Sequence, residues 1–297
     1  MESKKEIYDL IPQQYYPATL LFRAGGSIGE TMEAIKTKGM AFPVIAKPDI
    51  GMRGMLVQKI HSEKELANYI SHTKVDFLVQ GYVEYENEVG LFYYRYPGES
   101  KGNISGIVGK ELLTLIGDGI STMEELLMRD QRFILQLPVL KETHAVTLKV
   151  ILKKDERHLL VPYGNHCRGS KFLDISNLID DELVATIDKV CKEIPEFYFG
   201  RMDIRYKSWE DLKQGKNFSI IELNGAGSEP THMYDPKHSI FFAWKEIIRH
   251  WNILYRVSKL NHQRNKLPYM SFSAGRKMLK ENAAYVKTIS VNLKQIA

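Results

Sequence analysis

Short capped helices and apolar strands alternate along the first hundred residues. "SIGETMEAIKTKGM", Ser27 to Met40, predicts a helix capped by Ser27 with Glu30 three residues on, the capping-box spacing. "FPVIAKP" follows as a buried strand that Pro48 ends, and "SEKELANYI" repeats the capped-helix signature with Ser62 and Glu65. "DFLVQGYV" and "NEVGLFYYRY" predict strands, the second rich in aromatic and β-branched residues. Such an order within about fifty residues defines an α+β or α/β lobe. "GISTMEELLMRD" predicts a helix starting near Ser121, and "LIDDELVATIDKVCKEI" a longer one with apolar spacing near 3.6.

The stretch "YFGRMDIRYKSWEDLKQGKNFSIIELNGAGSEP" carries the clearest chemistry. Two strand-like runs, 200–206 and 218–224, flank a polar connection. A hairpin centred between Leu212 and Lys213 sets Asp203 opposite Glu222 and Arg201 opposite Asn224. Alternation puts Arg201, Asp203 and Arg205 on one face with Met202 and Ile204 behind them. Two carboxylates that close repel unless a proton or a cation lies between them. Oxygen-only ligands suit Mg2+, which takes one or two carboxylates plus phosphate oxygens. A solvated face with a surface salt bridge would show the same pattern, but the glycine-rich "NGAGSEPTH" that follows suits close backbone approach to a ligand.

Lys47 lies inside the apolar run "FPVIAKP", directly before the glycine-containing "DIGMRG". A lysine there costs stability unless an anion meets it, and backbone amides of such a turn form an anion-binding concavity. The alternative is a lysine that snorkels at a strand end. A polyphosphate would answer both Lys47 and the acidic hairpin. Two other phosphate signatures fail. "ISGIVGKE" has Ile104 in place of the first Walker glycine and Glu111 in place of Ser/Thr, and "GDGIST" lacks the third glycine of a dinucleotide fingerprint.

Composition narrows the class. The chain has 297 residues, 44% hydrophobic and 26% charged, with no apolar run of membrane-spanning length and two cysteines, Cys167 and Cys191. A reducing, cytoplasmic setting is the expectation. Lys245 to Ala297 holds eleven Lys/Arg against Glu246 and Glu281, a net +9, which leaves −4 for the rest of a +5 chain. Trp244 and Trp251, seven apart, share a helix face in this tail. The tail is expected to pack on the body with a solvated basic side outward. The alternative is a basic face for an anionic membrane surface, at the inner membrane face, with no specific nucleic-acid motif.

The order of lysine, glycine-rich loop, apolar strand with a hinge, and "GRMDIR…IIELN" resembles the ATP-grasp superfamily, in particular its D-alanine–D-alanine ligase and cyanophycin-synthetase branch. The resemblance covers roughly Lys4 to Pro236. It implies an α+β fold in which two α/β lobes clasp a nucleotide, followed by a helical basic extension. The corresponding divisions are 1–39, 40–244 and 245–297. It implies ATP and Mg2+, two ions, with Mn2+ as a substitute. Lys47 matches the lysine on the α- and β-phosphates, Lys5 a second nucleotide lysine, and Gly51, Arg53 and Gly54 the flap over the phosphates. Gln80, Gly81, Tyr82 and Val83 match the adenine hinge, and Glu88 the ribose acid. Asp203, Glu222 and Asn224 match the metal ligands, Arg201 the arginine at the transferred phosphate, and Arg168 and Lys171 a loop near it. Gly227, Ser228, Glu229 and His232 fall where relatives bind substrate. The implied activity joins a small carboxylate to an amine through an acylphosphate. A kinase-like phosphotransferase and a nucleotide-binding module without turnover are the alternatives, and a homodimer is an allowed assembly. Two departures stand out. Gln80 and Gly81 replace an acid and a larger residue at the hinge, and only four residues precede Lys5 where related ligases carry a further domain of about a hundred residues.

Overall fold

The structure is a computed structural model that describes residues 2–51, 54–161, 164 and 169–296. The first lobe is built from helix α1 (Lys4–Leu10), strand β1 (Thr19–Phe22), helix α2 (Ile28–Thr37), strands β2 (Val44–Pro48) and β3 (Gln58–Ile60), helix α3 (Glu63–His72) and strand β4 (Phe77–Gly81). Its four strands form an antiparallel sheet in the order β1-β4-β2-β3. Val44, Ala46, Phe77 and Val79 point from the sheet into a core shared with Ile35, Leu66 and Tyr69 of the two helices. The caps fall where expected. Ser27 accepts from the Gly29 amide, and Ser62 from Glu65, each satisfying a helix N–H that has no partner in its own helix.

The second lobe follows with β5 (Asn87–Tyr94) and β6 (Asn103–Glu111). A satellite unit comes next: β7 (Leu113–Ile116), helices α4 (Met123–Met128), α5 (Gln131–Ile134) and α6 (Leu137–Thr143), and β8 (Arg157–Val161). The helix read as starting near Ser121 begins two residues later, because Thr122 and Glu125 form the full reciprocal capping box. This unit pairs β7 with β8 and has its own core around Leu113, Met123, Leu127 and Leu160. The chain returns through β9 (Lys171–Asp174), α7 (Asp181–Lys192), β10 (Phe199–Tyr206), α8 (Trp209–Lys213) and β11 (Phe218–Asn224). Five antiparallel strands in the order β11-β10-β5-β6-β9 make the larger sheet. One face packs Met202, Ile204, Val89, Leu91 and Ile107 against Leu183, Ile187 and Cys191 of α7. The other face is divided between packing against a C-terminal helix and a polar region around Arg201, Asp203 and Arg205.

Two long helices end the chain, α9 (Ile240–Asn265) and α10 (Phe272–Ile296). Position 245 therefore falls inside α9. Ile253 and Val257 of α9 pack on Phe92 and Phe199 of the larger sheet. Tyr285 and Ile289 of α10 pack on Met55, Leu56 and Val75 of the first lobe. The α+β architecture of two α/β lobes with a helical C-terminal segment is the one that the resemblance implied.

Candidate functional site

A cleft of about 760 Å3 separates the two sheets. Strand alternation decides what reaches it. On β2, Val44 and Ala46 turn into the core, so Ile45 and Lys47 turn into the cleft. On β10, Met202 and Ile204 are buried, so Arg201, Asp203 and Arg205 face the cleft. The register is Arg201 opposite Asn224 and Asp203 opposite Glu222, with a bulge after Asp203. The hairpin reading gave this pairing, although the connection holds the short helix α8.

Lys47 bridges the lobes. Its Nζ donates to Gln80 Oε1 at 2.9 Å, to Tyr8 Oη at 2.8 Å and to the Ile221 carbonyl at 3.4 Å, next to Glu222 on β11. Tyr8 also donates to that carbonyl. Burial lowers the lysine from its usual 10.5 to about 8, with Glu222 opposing the shift. Burial likewise lowers Lys4, whose Nζ donates to the Gly51 carbonyl at 3.2 Å. Gly51 and Gly54 line the same wall, Gly54 with φ of 70°, a conformation that suits glycine.

A chain of alternating charges lies on the sheet opposite. Arg205 Nε is 3.3 Å from Glu88, Glu88 is 2.9 Å from Lys110 Nζ, Lys110 is 3.0 Å from Asp203, and Asp203 is 3.1 Å from Arg201 Nε. All five side chains are largely buried. Burial works against both charges at Asp203 and Lys110. Arg201 and Lys110 nevertheless hold Asp203 below the usual carboxylate range, and Asp203 and Glu88 hold Lys110 above the usual lysine value. Lys110 is a site residue that the sequence reading passed over. Its signal is the one that marks Lys47, a lysine inside an apolar strand, here masked by the Walker-like look of "ISGIVGKE".

Gln80, Gly81, Tyr82 and Val83 all line the cleft. The Gly81 N–H donates to Ala18 O at 2.9 Å, and Val83 O accepts from Arg205 at 2.9 Å. The Gln80 side chain turns toward Lys47 and Thr19. Glu88 lines the cleft with both oxygens on Lys110 and Arg205. Gly227, Ser228 and Glu229 line its far end, with Thr231 and Tyr234.

Three expected residues are not brought there. Lys5 turns to Asp9 one helical turn on, and Lys4 takes the cleft side of α1. Lys171 is exposed, because alternation along β9 gives the cleft to Phe172. His232 is buried behind the cleft, with Nε2 3.2 Å from Glu246 of α9. Its ring lies so close to β6 that a Cβ on Gly106 would be 2.3 Å from it. Arg53 and Arg168 lie outside the described residues.

Among the described residues no three His, Cys, Asp or Glu side chains gather to hold a metal unaided. Where β10 pairs with β11, the cleft offers the carboxylates of Asp203 and Glu222 and the amide of Asn224, whose buried Nδ2 has no hydrogen-bond partner among the described residues. That donor set fits a hard cation that arrives with phosphate oxygens of its own.

No protein-family model and no curated protein matches the chain. Solved structures do. A bifunctional glutathione synthetase from Pasteurella multocida aligns over 88% of this chain and 35% of its own, at 14% identity and a TM-score of 0.40. The VanG D-Ala:D-Ser ligase from Enterococcus faecalis aligns over 87% of this chain and 61% of its own, at 14% identity and a TM-score of 0.45. A D-alanine–D-alanine ligase from Bacillus anthracis aligns over 89% and 68%, at 11% identity and a TM-score of 0.47. The chain thus spans about a third to two-thirds of the structures it resembles.

Proposed function

We propose that the cleft binds Mg·ATP and that the chain is an ATP-dependent carboxylate–amine ligase. The observation that carries this reading is the reach of Lys47 across the cleft to the Ile221 carbonyl, beside the paired acids of β10 and β11. An ammonium on one wall and oxygen donors on the other suit a polyphosphate with its cation. In this reading Lys47 and Lys4 bind the phosphates, and the backbone of 80–83 borders the base. Asp203, Glu222 and Asn224 hold one or two Mg2+, for which Mn2+ can substitute. Bound metal would neutralise phosphate charge. Arg201, 3.1 Å from Asp203, is placed to steady the moving phosphoryl group.

The substrate carboxylate attacks the γ-phosphorus and ADP leaves, giving an acylphosphate. An amine then attacks the acyl carbon, inorganic phosphate leaves, and the amine's proton passes to solvent or base. The loop 225–229 borders the far end, where the two substrates would meet. The loop at Gly51 and Gly54 would exclude water that hydrolyses the acylphosphate.

The test is an ADP-release screen over pairs of amino acids and small carboxylates with Mg2+. Release that requires both a carboxylate and an amine supports ligation, and Asp203→Asn is expected to lower it by at least about a hundredfold. Release with a lone hydroxyl substrate would favour a phosphotransferase instead. Turnover and ATP affinity unchanged in Asp203→Asn would overturn both.

A further inference from the structure

Helix α9 is apolar on two opposite faces. Ile253 and Val257, with the buried polar pair Glu246 and His250, point into the protein. The opposite side carries Phe241, Trp244, Ile248, Trp251 and Tyr255, between 55% and 72% exposed. Their spacing of three, four, three and four residues makes one continuous stripe about 21 Å long. A helix apolar on both sides is ordinarily covered on both.

The charges beside the stripe indicate what covers it. Helical periodicity sets Lys245, Arg249, Arg256 and Lys259 along one flank, all exposed. The single acid of α9, Glu246, is buried. Every exposed side chain of this helix that is charged at neutral pH is therefore basic. A second copy fits poorly. An antiparallel pair of α9 helices would set Lys245 and Arg249 against Arg256 and Lys259, and the one acid of the helix, Glu246, is buried and engaged with Arg249 of its own helix. The stripe is also built of Trp, Tyr and Phe, where a helix seam favours Leu, Ile and Val. Ring systems with a polar edge, bordered by lysine and arginine, match the headgroup zone of an anionic bilayer. No helix among the described residues is long and apolar enough to cross a membrane, so the contact would be peripheral. We propose that the outer face of α9 docks on an anionic lipid surface, with Trp244 and Trp251 at the headgroup level.

This inference is independent of the ligase reading, since none of these side chains lines the cleft. It is tested by flotation of the full chain with vesicles of phosphatidylcholine alone and vesicles with roughly a third phosphatidylglycerol. The expected result is binding to the anionic vesicles only, with a blue shift of tryptophan emission and quenching by brominated lipid. Trp209, packed on Tyr206 elsewhere, supplies an unresponsive background. Trp244→Ser with Trp251→Ser is expected to weaken partitioning by about tenfold or more, and Lys245→Gln and Lys259→Gln by about fivefold each. Both positions of the tryptophan pair are exposed, so an unchanged thermal midpoint separates lost docking from lost folding. Absence of binding to anionic vesicles would overturn the proposal. So would binding that survives the double tryptophan variant, or a dimer in sedimentation that this variant dissociates while vesicle binding is absent.

Discussion

Lys110 sits between two carboxylates, 2.9 Å from Glu88 and 3.0 Å from Asp203, with 3% of its side chain exposed. Removing one member of a buried ion network leaves an uncompensated charge. Lys110→Met is therefore expected to destabilise the protein by about 3–5 kcal/mol in chemical denaturation at neutral pH. Adding Glu88→Gln should recover part of the loss, and no recovery would show that the network is not what Lys110 holds. Lys47 presents the opposite case. Its folded value, about 8, lies below its usual 10.5, so the free protein carries a buried charge at neutral pH. Between those values the unfolded chain binds the proton and the folded chain does not, so stability rises with pH across that window. A polyphosphate keeps Lys47 protonated, so nucleotide affinity is expected to fall as pH climbs through about 8. Lys47→Met should abolish both trends and weaken ATP by about 10- to 100-fold, measured by calorimetry.

Elements were legible where one face is buried. The pairing of β10 with β11 followed from a hairpin centred between Leu212 and Lys213, and its facing from alternation, because Met202 and Ile204 have to point inward and their neighbours outward. What alternation cannot give is rotation at a helix start. Lys4 and Lys5 lie about 100° apart on α1, and their adjacency in sequence cannot choose between them. Nor could seven-residue spacing say which side of α9 faces in, since both sides are apolar. The expected outward basic side is a flank, and the outermost strip is aromatic. His232 was read with the cleft loop because its neighbours in sequence are there, yet Glu246 holds it on the far side. That anchor depends on Gly106. Gly106→Ala places a methyl against the imidazole and is expected to cost about 1–3 kcal/mol, read as a lower thermal midpoint together with a higher KM for the substrate at the 225–229 end. A change in midpoint without a change in KM would assign His232 to folding only.

At the scale of the molecule, the C-terminal helices join the two lobes from outside the cleft. Ile289, 1% exposed, packs on Leu56, one residue from the cleft-lining Met55 and Val57. Ile289→Ala is expected to cost about 2–4 kcal/mol and to speed amide exchange at 54–57 more than in β10. Equal exchange in both regions would mean that α10 stabilises the whole protein without bracing that loop. The two anchors are separate: α9 on Phe92 and Phe199, α10 on Leu56 and Val75. Between them run the last turns of α9, the exposed link 266–271 and the first turns of α10. At about 3.5 Å per extended residue, six residues give a leash of roughly 20 Å at full stretch. While both anchors hold, that leash and the two helix segments it joins together cap how far the jaws can part.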